Sequence, residues 1–368
     1  MKRVLIVFGT RPEAIKMCPV IKELKTRRNL DVKIVVTGQH RSMLDDVLRE
    51  NGIIPDYDLS IMKVGQTLTY ITYEVLLKVE SVIRELLPDA VLVHGDTSSA
   101  FSAALVAFYN HIPIFHIEAG LRTYDMMNPY PEEFNRRAIS LVASYHFAPT
   151  ETARDNLIKE GIKSEKIFVT GNTVIDALIE NLRDDFEHPL LPRGNDKLII
   201  LTVHRRENLN GNLERIFSAV KKIAEQFPFV KIIYPIHKNE RIRAAAKKVF
   251  SGVENIEITE PMCASVFHNL LRKCCFVITD SGGIQEEASF LGKPIILVRK
   301  CTERKELLTF IGLKVLSDNE FEIFREAEKL LIDREFYQKR ATASEIFGDG
   351  HASKKIADII EFALDIKN

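Results

Sequence analysis

The sequence has no surplus charge of either sign: 51 Lys and Arg balance 51 Asp and Glu over 368 residues. A protein that grips a nucleic-acid backbone needs a basic excess, so that class of partner is set aside. Long apolar runs are missing too, and none approaches the ~20 residues of a membrane span. The apolar start of MKRVLIVFGTRPEA is too short for a signal peptide. It leads into Gly9-Thr10-Arg11-Pro12 instead of a small-residue cleavage site, so a first strand is expected there. Cysteine offers little. Cys18, Cys263, Cys274, Cys275 and Cys301 are odd in number, two are adjacent, and none shows paired metal-ligand spacing. They read as free thiols of a reducing cytoplasm. A GxGxxG fingerprint is also missing from the first strand–helix turn.

What is present is the pattern of parallel α/β architecture. Hydrophobic residues make up 46% and charged residues 28%, and the length suggests two domains. Apolar runs alternate with helical periodicity. Strands are expected at Lys2–Phe8, Val32–Val36, Ala90–Val93, Ile114–Ile117, Tyr145–Phe147 and Ile167–Val169. The second half continues with Leu198–Val203, Val230–Tyr234, Ile256–Ile258, Phe276–Thr279 and Ile295–Val298. Thr10 and Glu13 have capping-box spacing ahead of a helix with Pro12 in its first turn. The expected class is therefore α/β, with two Rossmann-like parallel-sheet domains at residues 1–175 and 196–350 facing across a cleft. The polar, Pro-broken stretch Leu182–Asp196 serves as linker. A last helix, Ser353–Ile366 within 351–368, carries Ile356, Ile359, Ile360 and Ala363 on one face and must dock on something.

Polar and glycine residues gather just past the strand ends, at Arg11, Gln39, Asp96, Glu118, His204, His237 and Ser281. Ligands of open parallel sheets bind there. The apolar run Phe276–Ile278 ends in Asp280-Ser281-Gly282-Gly283, and a helix is expected from Ile284 to Leu291. Free N–H groups at a helix start suit a phosphate, and the glycines let it come close. The bland alternative is a tight turn with a serine cap. Glu287, one turn beyond Gly283, is suited to sugar hydroxyls. Arg11 and Lys16 are candidates to counter a diphosphate, or else surface ion pairs. His204, beside Arg205 and Arg206, suits phosphate binding or proton transfer, or belongs to a charged loop. Asp96, Glu118 and Glu132 form a third set. Alone, Glu132 reads as a helix-dipole partner; three converging carboxylates are expected to raise at least one pKa and supply an acid and a base.

These stretches carry a resemblance. GTRPEAIK at Gly9–Lys16, TGQH at Thr37–His40, HGDT at His94–Thr97, HIEAGLRT at His116–Thr123 and PEEFNRR at Pro131–Arg137 resemble the non-hydrolysing UDP-N-acetylglucosamine 2-epimerases. So do TGNTVIDAL at Thr170–Leu178, HRREN at His204–Asn208, TDSGGIQEEA at Thr279–Ala288 and TER at Thr302–Arg304. The matches run in order along almost the whole chain. The resemblance implies a glycosyltransferase-B fold, with sugar held mainly by the first domain, UDP mainly by the second, and the last helix crossing back to the first. It implies reversible C2 epimerisation of UDP-N-acetylglucosamine to UDP-N-acetylmannosamine. The route is elimination of UDP to 2-acetamidoglucal, then re-addition after a proton returns to the other face of C2.

Carried over by position, Asp96, Glu118, Glu132 and His204 are the catalytic candidates. Which carboxylate works on which face stays open. Arg11, Lys16, Ser281, Gly282, Gly283 and Arg304 would hold the diphosphate or its sugar, Glu287 the ribose hydroxyls, and Phe267 would lie near the uracil. The C2 hydrogen is weakly acidic, so departure of the diphosphate leads and cationic groups there stabilise it. No metal and no nicotinamide cofactor are implied. A cytoplasmic homodimer is implied. Gln39, His40 and His237 match a second substrate site that activates bacterial members. Ser42 and Gly65 stand where those members carry longer polar or basic side chains, so weakened or absent activation is expected. Lys305 replaces a common proline, and Met262 and Ala264 depart near the uracil. The rivals are a hydrolysing epimerase, releasing N-acetylmannosamine and UDP, and a glycosyltransferase of the same fold.

Overall fold

A computed structural model describes residues 1–39, 41–63, 65–204, 212–299, 302–316 and 318–365. The chain divides into two units, Met1–Ile179 with Phe347–Asn368, and Glu180–Ile346. The stretch Leu182–Asp196 falls inside the second. No described helix is long and apolar enough to cross a membrane.

In the first unit the strands are β1 (Lys2–Phe8), β2 (Leu30–Val36), β3 (Tyr57–Asp58), β4 (Ala90–His94), β5 (Ile114–Ile117), β6 (Tyr145–Ala148) and β7 (Ile167–Val169). Among the described residues they form one sheet in the order β3-β2-β1-β4-β5-β6-β7, with every pair parallel. From Val4 to Phe8 every residue of β1 is buried, as a strand covered on both faces requires. The covering helices are α1 (Arg11–Thr26), α2 (Arg41–Glu50), α3 (Leu68–Leu86), α4 (Ser98–Tyr109), α5 (Glu132–Val142), α6 (Glu151–Lys159) and α7 (Thr173–Asn181). Small residues make α4 what it is: Ser99, Ala100, Ser102, Ala103, Ala104 and Ala107 are buried, so its axis lies close to the sheet.

The second unit holds β8 (Lys197–Thr202), β9 (Val230–Pro235), β10 (Ile256–Thr259), β11 (Phe276–Thr279), β12 (Ile295–Leu297) and β13 (Leu313–Val315). Their order is β10-β9-β8-β11-β12-β13, again parallel throughout. Its helices are α8 (Asn212–Gln226), α9 (Glu240–Phe250), α10 (Ala264–Lys273), α11 (Gly282–Phe290), α12 (Glu320–Ile332) and α13 (Arg334–Arg340). Both sheets are doubly wound. Their order reverses beside the first strand of each, between β1 and β4 and between β8 and β11, which is where such sheets open a crevice.

The last helix, α14 (Ala352–Ala363), belongs to the first unit. Ile356, Ala357 and Ile360 join the core that holds Met17, Val20, Ile21 and Leu24 of α1. The Asp176 carboxylate accepts the main-chain N–H groups of Ser353 (2.7 Å) and Ala352 (3.3 Å), which caps α14. Arg27 pairs with Asp358 and Glu361 at its far end.

One sequence expectation needs correction, and two strands lay outside the expected set. The glycine turn after β11 is already helix: α11 begins at Gly282, two residues ahead of the expected Ile284, with Ser281 as its cap position. Glycine has poor helix propensity because fixing its backbone costs entropy, but that penalty is one of helix interiors and weighs less in a first turn. The short edge strands β3 and β13 were not legible, because two or three residues are too few to establish a period of two.

Candidate active site

In the first unit, Arg11, Asp96 and Glu118 all lie past the carboxyl ends of adjacent strands, β1, β4 and β5. Arg11 is the first residue of α1. Asp96 follows β4, and α5 fixes it. Arg136 forms an ion pair with its carboxylate, and Asn135 Nδ2 donates to its main-chain oxygen at 2.9 Å. Arg136 also faces Glu133 at 3.3 Å. Glu132 opens the same helix four residues before Arg136, so the two project from one face.

Glu118 has a φ of 62°, in the left-handed region that a glutamate rarely occupies. Its carboxylate is almost fully buried, pairs with Lys16, and accepts from Asn172 Nδ2 at 2.8 Å. Lys16 is thus on Glu118, whereas the sequence reading aimed it at a diphosphate. The expectation of mutual carboxylate repulsion also changes: Asp96 and Glu118 each have a cation of their own. Burial does raise Glu13 beside them, pushing it up to about 7 despite the hydrogen bonds it accepts. Its donors are Thr97 Oγ (2.8 Å), Gly9 N (3.1 Å) and Thr10 N (2.8 Å). Glu13 therefore ties the turn that carries Arg11 to the residue after Asp96.

Three histidines lie under this edge. His116 sits opposite His146 in the sheet, and His94 ends β4. Burial, above all, drops His94 to about 4, His116 to about 3 and His146 to about 4, so all three are neutral. His116 Nε2 lies 2.7 Å from the Gly95 carbonyl and can donate to it, which braces the turn leading to Asp96.

In the second unit the switch point is occupied by His204, past β8, and by Asp280–Gly283, past β11. Asp280 is fully buried; both its oxygens accept the His204 main-chain N–H (3.1 and 3.0 Å), and His204 Nδ1 lies at 3.3 Å. Ser281, Gly282 and Gly283 form the start of α11. Arg304 lies directly on that start. Its Nε donates to Glu286 at 2.6 Å, it pairs with Glu303, and Glu303 holds Arg299 at 3.1 Å. A side chain at residue 282 would put its Cβ 2.6 Å from Arg304 Cζ, so anything but glycine requires the guanidinium to shift. Glu287 lies one turn along α11 and is nearly buried, while Phe267 is half-buried on α10.

Of the second-site candidates, Gln39 accepts Ser99 Oγ at 2.9 Å in the first unit. In the second unit, His237 Nδ1 accepts Asn239 N at 3.1 Å, and the His237 ring lies 6.0 Å edge-on to His204. His40, Arg205–Asn208 and the Ser42 side chain lie outside the described residues. Among the described residues, no group of three or more His, Cys, Asp or Glu is arranged to hold a metal.

Arg136, Asn172, Asp280, Glu286 and Glu303 were not singled out from sequence, although all five lie within the motifs above and Asp280, Glu286 and Glu303 directly adjoin a candidate. Only their partners' positions reveal them: Arg136 is 40 residues from Asp96, and Lys16 is 102 from Glu118.

A profile described as UDP-N-acetylglucosamine 2-epimerase matches residues 22–361. A Bacillus subtilis protein named UDP-N-acetylglucosamine 2-epimerase is 47% identical over 361 residues, spanning 98% of this chain and 95% of its own. Among solved structures, a UDP-GlcNAc 2-epimerase from Neisseria meningitidis bound to UDP-GlcNAc superposes with a TM-score of 0.93. It is 42% identical, covering 97% of this chain and 99% of that one. The S. aureus MnaA–UDP co-structure gives 0.95 at 43% identity, covering 100% and 98%.

Proposed function

The chain belongs to the UDP-N-acetylglucosamine 2-epimerase family, and we propose that it works by the non-hydrolysing route. It is a UDP-N-acetylglucosamine 2-epimerase of glycosyltransferase-B type fold, and UDP-N-acetylglucosamine is its substrate. In the proposed route the C1–O bond to UDP breaks as a carboxylate takes the C2 proton, leaving 2-acetamidoglucal and UDP. A proton then returns to the opposite face of C2, and UDP re-adds at C1.

The observation that supports this best is the pair Asp96 and Glu118 on adjacent strand ends, each held by its own cation. One oriented carboxylate for each face is what inversion at C2 needs, whereas a transferase has no reason to touch C2. Glu132, beside Arg136 on α5, is the third acid–base or electrostatic candidate. Which of the three takes each step is left open. Sugar chemistry falls to the first unit. UDP falls to the second: its diphosphate to Ser281, Gly282 and Gly283 at the start of α11 and to Arg304, with His204 and Arg11 offsetting the charge that develops on departure. Lys16 acts by holding Glu118. Phe267 lies near the uracil and Glu287 takes the ribose. No cofactor takes part in this route.

Proton NMR of UDP-N-acetylglucosamine incubated with the protein in heavy water tests the route. UDP-N-acetylmannosamine with deuterium at C2 is expected. Free N-acetylmannosamine with UDP would instead identify the hydrolysing reaction.

Gly282→Ala tests the diphosphate site. The added methyl displaces the Arg304 guanidinium from Glu286 and Glu303, disturbing two buried ion pairs. UDP affinity by calorimetry is expected to fall at least about tenfold, with a lower melting temperature. Unchanged affinity would remove Arg304 and the helix start from the site.

A homodimer is also proposed. On one side of the first sheet, α4 packs between α3 and α5 and the three present exposed apolar groups: Leu77, Phe108, Phe134 and Leu141. Exposed apolar groups on neighbouring helices suit a protein interface. Light scattering is expected to give twice the 42.0 kDa chain mass, and Phe108→Glu with Leu141→Glu to return it to one. Finally, Ser42 and Gly65 support weakened activation by substrate at a site with Gln39, His40 and His237, so sigmoidal kinetics would contradict it. A cytoplasmic location accords with a free nucleotide-sugar substrate.

A further inference from the structure

Glu287 is 6% exposed, and its Oε2 is buried with no hydrogen-bond partner, whereas almost all buried polar atoms have one. It lies four residues past Gly283, on the same face of α11 and one turn, about 5.4 Å, from the helix start. A nucleoside diphosphate whose phosphates sit at that start brings its ribose diol to this depth. The lone oxygen is where the two hydroxyl donors go.

The other oxygen has a neighbour. His268 on α10 is 2% exposed, and its Nε2 lies 3.3 Å from Glu287 Oε1. Its Nδ1 lies 3.1 Å from Asn181 Nδ2. An amide nitrogen can only donate, so Nδ1 is the acceptor and the ring proton is on Nε2, facing the carboxylate. Asn181 is itself fixed, because its carbonyl accepts Asn269 Nδ2 at 2.7 Å, and Asn269 Oδ1 accepts the main-chain N–H of Arg183 at 2.8 Å.

We propose that His268, with its tautomer set by Asn181, is a positioning residue that orients Glu287 toward the ribose diol and so sets the preference for ribo- over deoxyribonucleotide. This rests on the reading of Glu287 as the ribose acceptor. A purely packing histidine would stabilise the fold without changing how the site tells UDP from 2′-deoxy-UDP.

The test is the ratio of dissociation constants for 2′-deoxy-UDP and UDP, measured by calorimetry on the full chain. The wild type is expected to favour UDP at least tenfold, and Glu287→Ala to bring the ratio near one. A Glu287→Ala ratio like that of the wild type would overturn the ribose reading itself. With that variant behaving as expected, His268→Phe should cut the ratio at least threefold with kcat within twofold. His268→Gln, which keeps an N–H donor, should restore it. A wild-type ratio in His268→Phe overturns the proposal. Should that variant fail to fold, Asn181→Leu keeps the imidazole but removes the amide N–H that donates to Nδ1. A reduced ratio there supports the proposal, and an unchanged one overturns it.

Discussion

Asp96→Asn is expected to lower turnover by about 10²–10⁴-fold, the usual scale for removing a positioned acid or base. The fold should survive. Arg136 loses its charged partner at Asp96 but still faces Glu133, and Asn135 still holds the residue 96 carbonyl. UDP affinity should be nearly unchanged, because the proposed assignment gives UDP to the other unit. Loss of turnover without loss of UDP binding or melting temperature is thus the expected signature. The contrast is Glu118→Gln. Lys16 is about nine-tenths buried, so that change removes the carboxylate charge from a buried ion pair. Breaking a buried pair from one side costs about 3–5 kcal/mol, and this variant should lose stability as well as activity. If Asp96→Asn and Glu118→Gln both keep wild-type exchange at C2 in heavy water, neither carboxylate works at that carbon.

Acid should unfold the first unit early. His94, His116 and His146 have folded-state pKa values of about 4, 3 and 4, below the 6.5 of the unfolded chain, because burial disfavours the imidazolium. Between those limits the unfolded chain binds more protons, so stability is full above pH 6.5 and lost as pH falls. At pH 5 each histidine costs about 2 kcal/mol. Glu13 acts oppositely. Its folded value of about 7 exceeds the unfolded 4.5, so folding gains stability as pH falls through that window. It returns about 2 kcal/mol at pH 5, leaving a net loss of about 4 out of a typical 5–15. Urea melts at pH 7.5 and pH 5 should show this drop. Glu13→Gln should steepen it, because the opposing group no longer titrates. A stability that is flat from pH 7.5 to 5 in both proteins would mean that the histidines are accessible to protons in the native state.

All strands but β3 and β13 were readable because β-branched runs such as KRVLIVF and FVIT leave few alternatives. The placing of Arg11, Asp96, Glu118 and His204 past strand ends followed directly from those runs. What stayed hidden was pairing. Periodicity reports neighbours three or four residues away, so it cannot show that Lys16 reaches Glu118, that Arg136 reaches Asp96, or that Arg304 lies on Gly282. Glu13 was legible as a capping-box residue, but its burial against Thr97 comes from α4 packing close to β1, a contact between distant segments. His268 gave no local signal at all, since its partners are Asn181 and Glu287 on other helices.

The seating of α14 on α1 has a consequence for synthesis. The first unit needs Ile356, Ala357 and Ile360 to close its core, yet a ribosome makes them after the whole of the second unit. The second unit is continuous in sequence and can fold as soon as it emerges. The first, although begun earlier, keeps an open apolar groove along α1 until α14 has emerged. Order of manufacture and order of completion are therefore reversed in this chain, and a nascent polypeptide stalled before residue 347 would show a finished second unit beside an unfinished first.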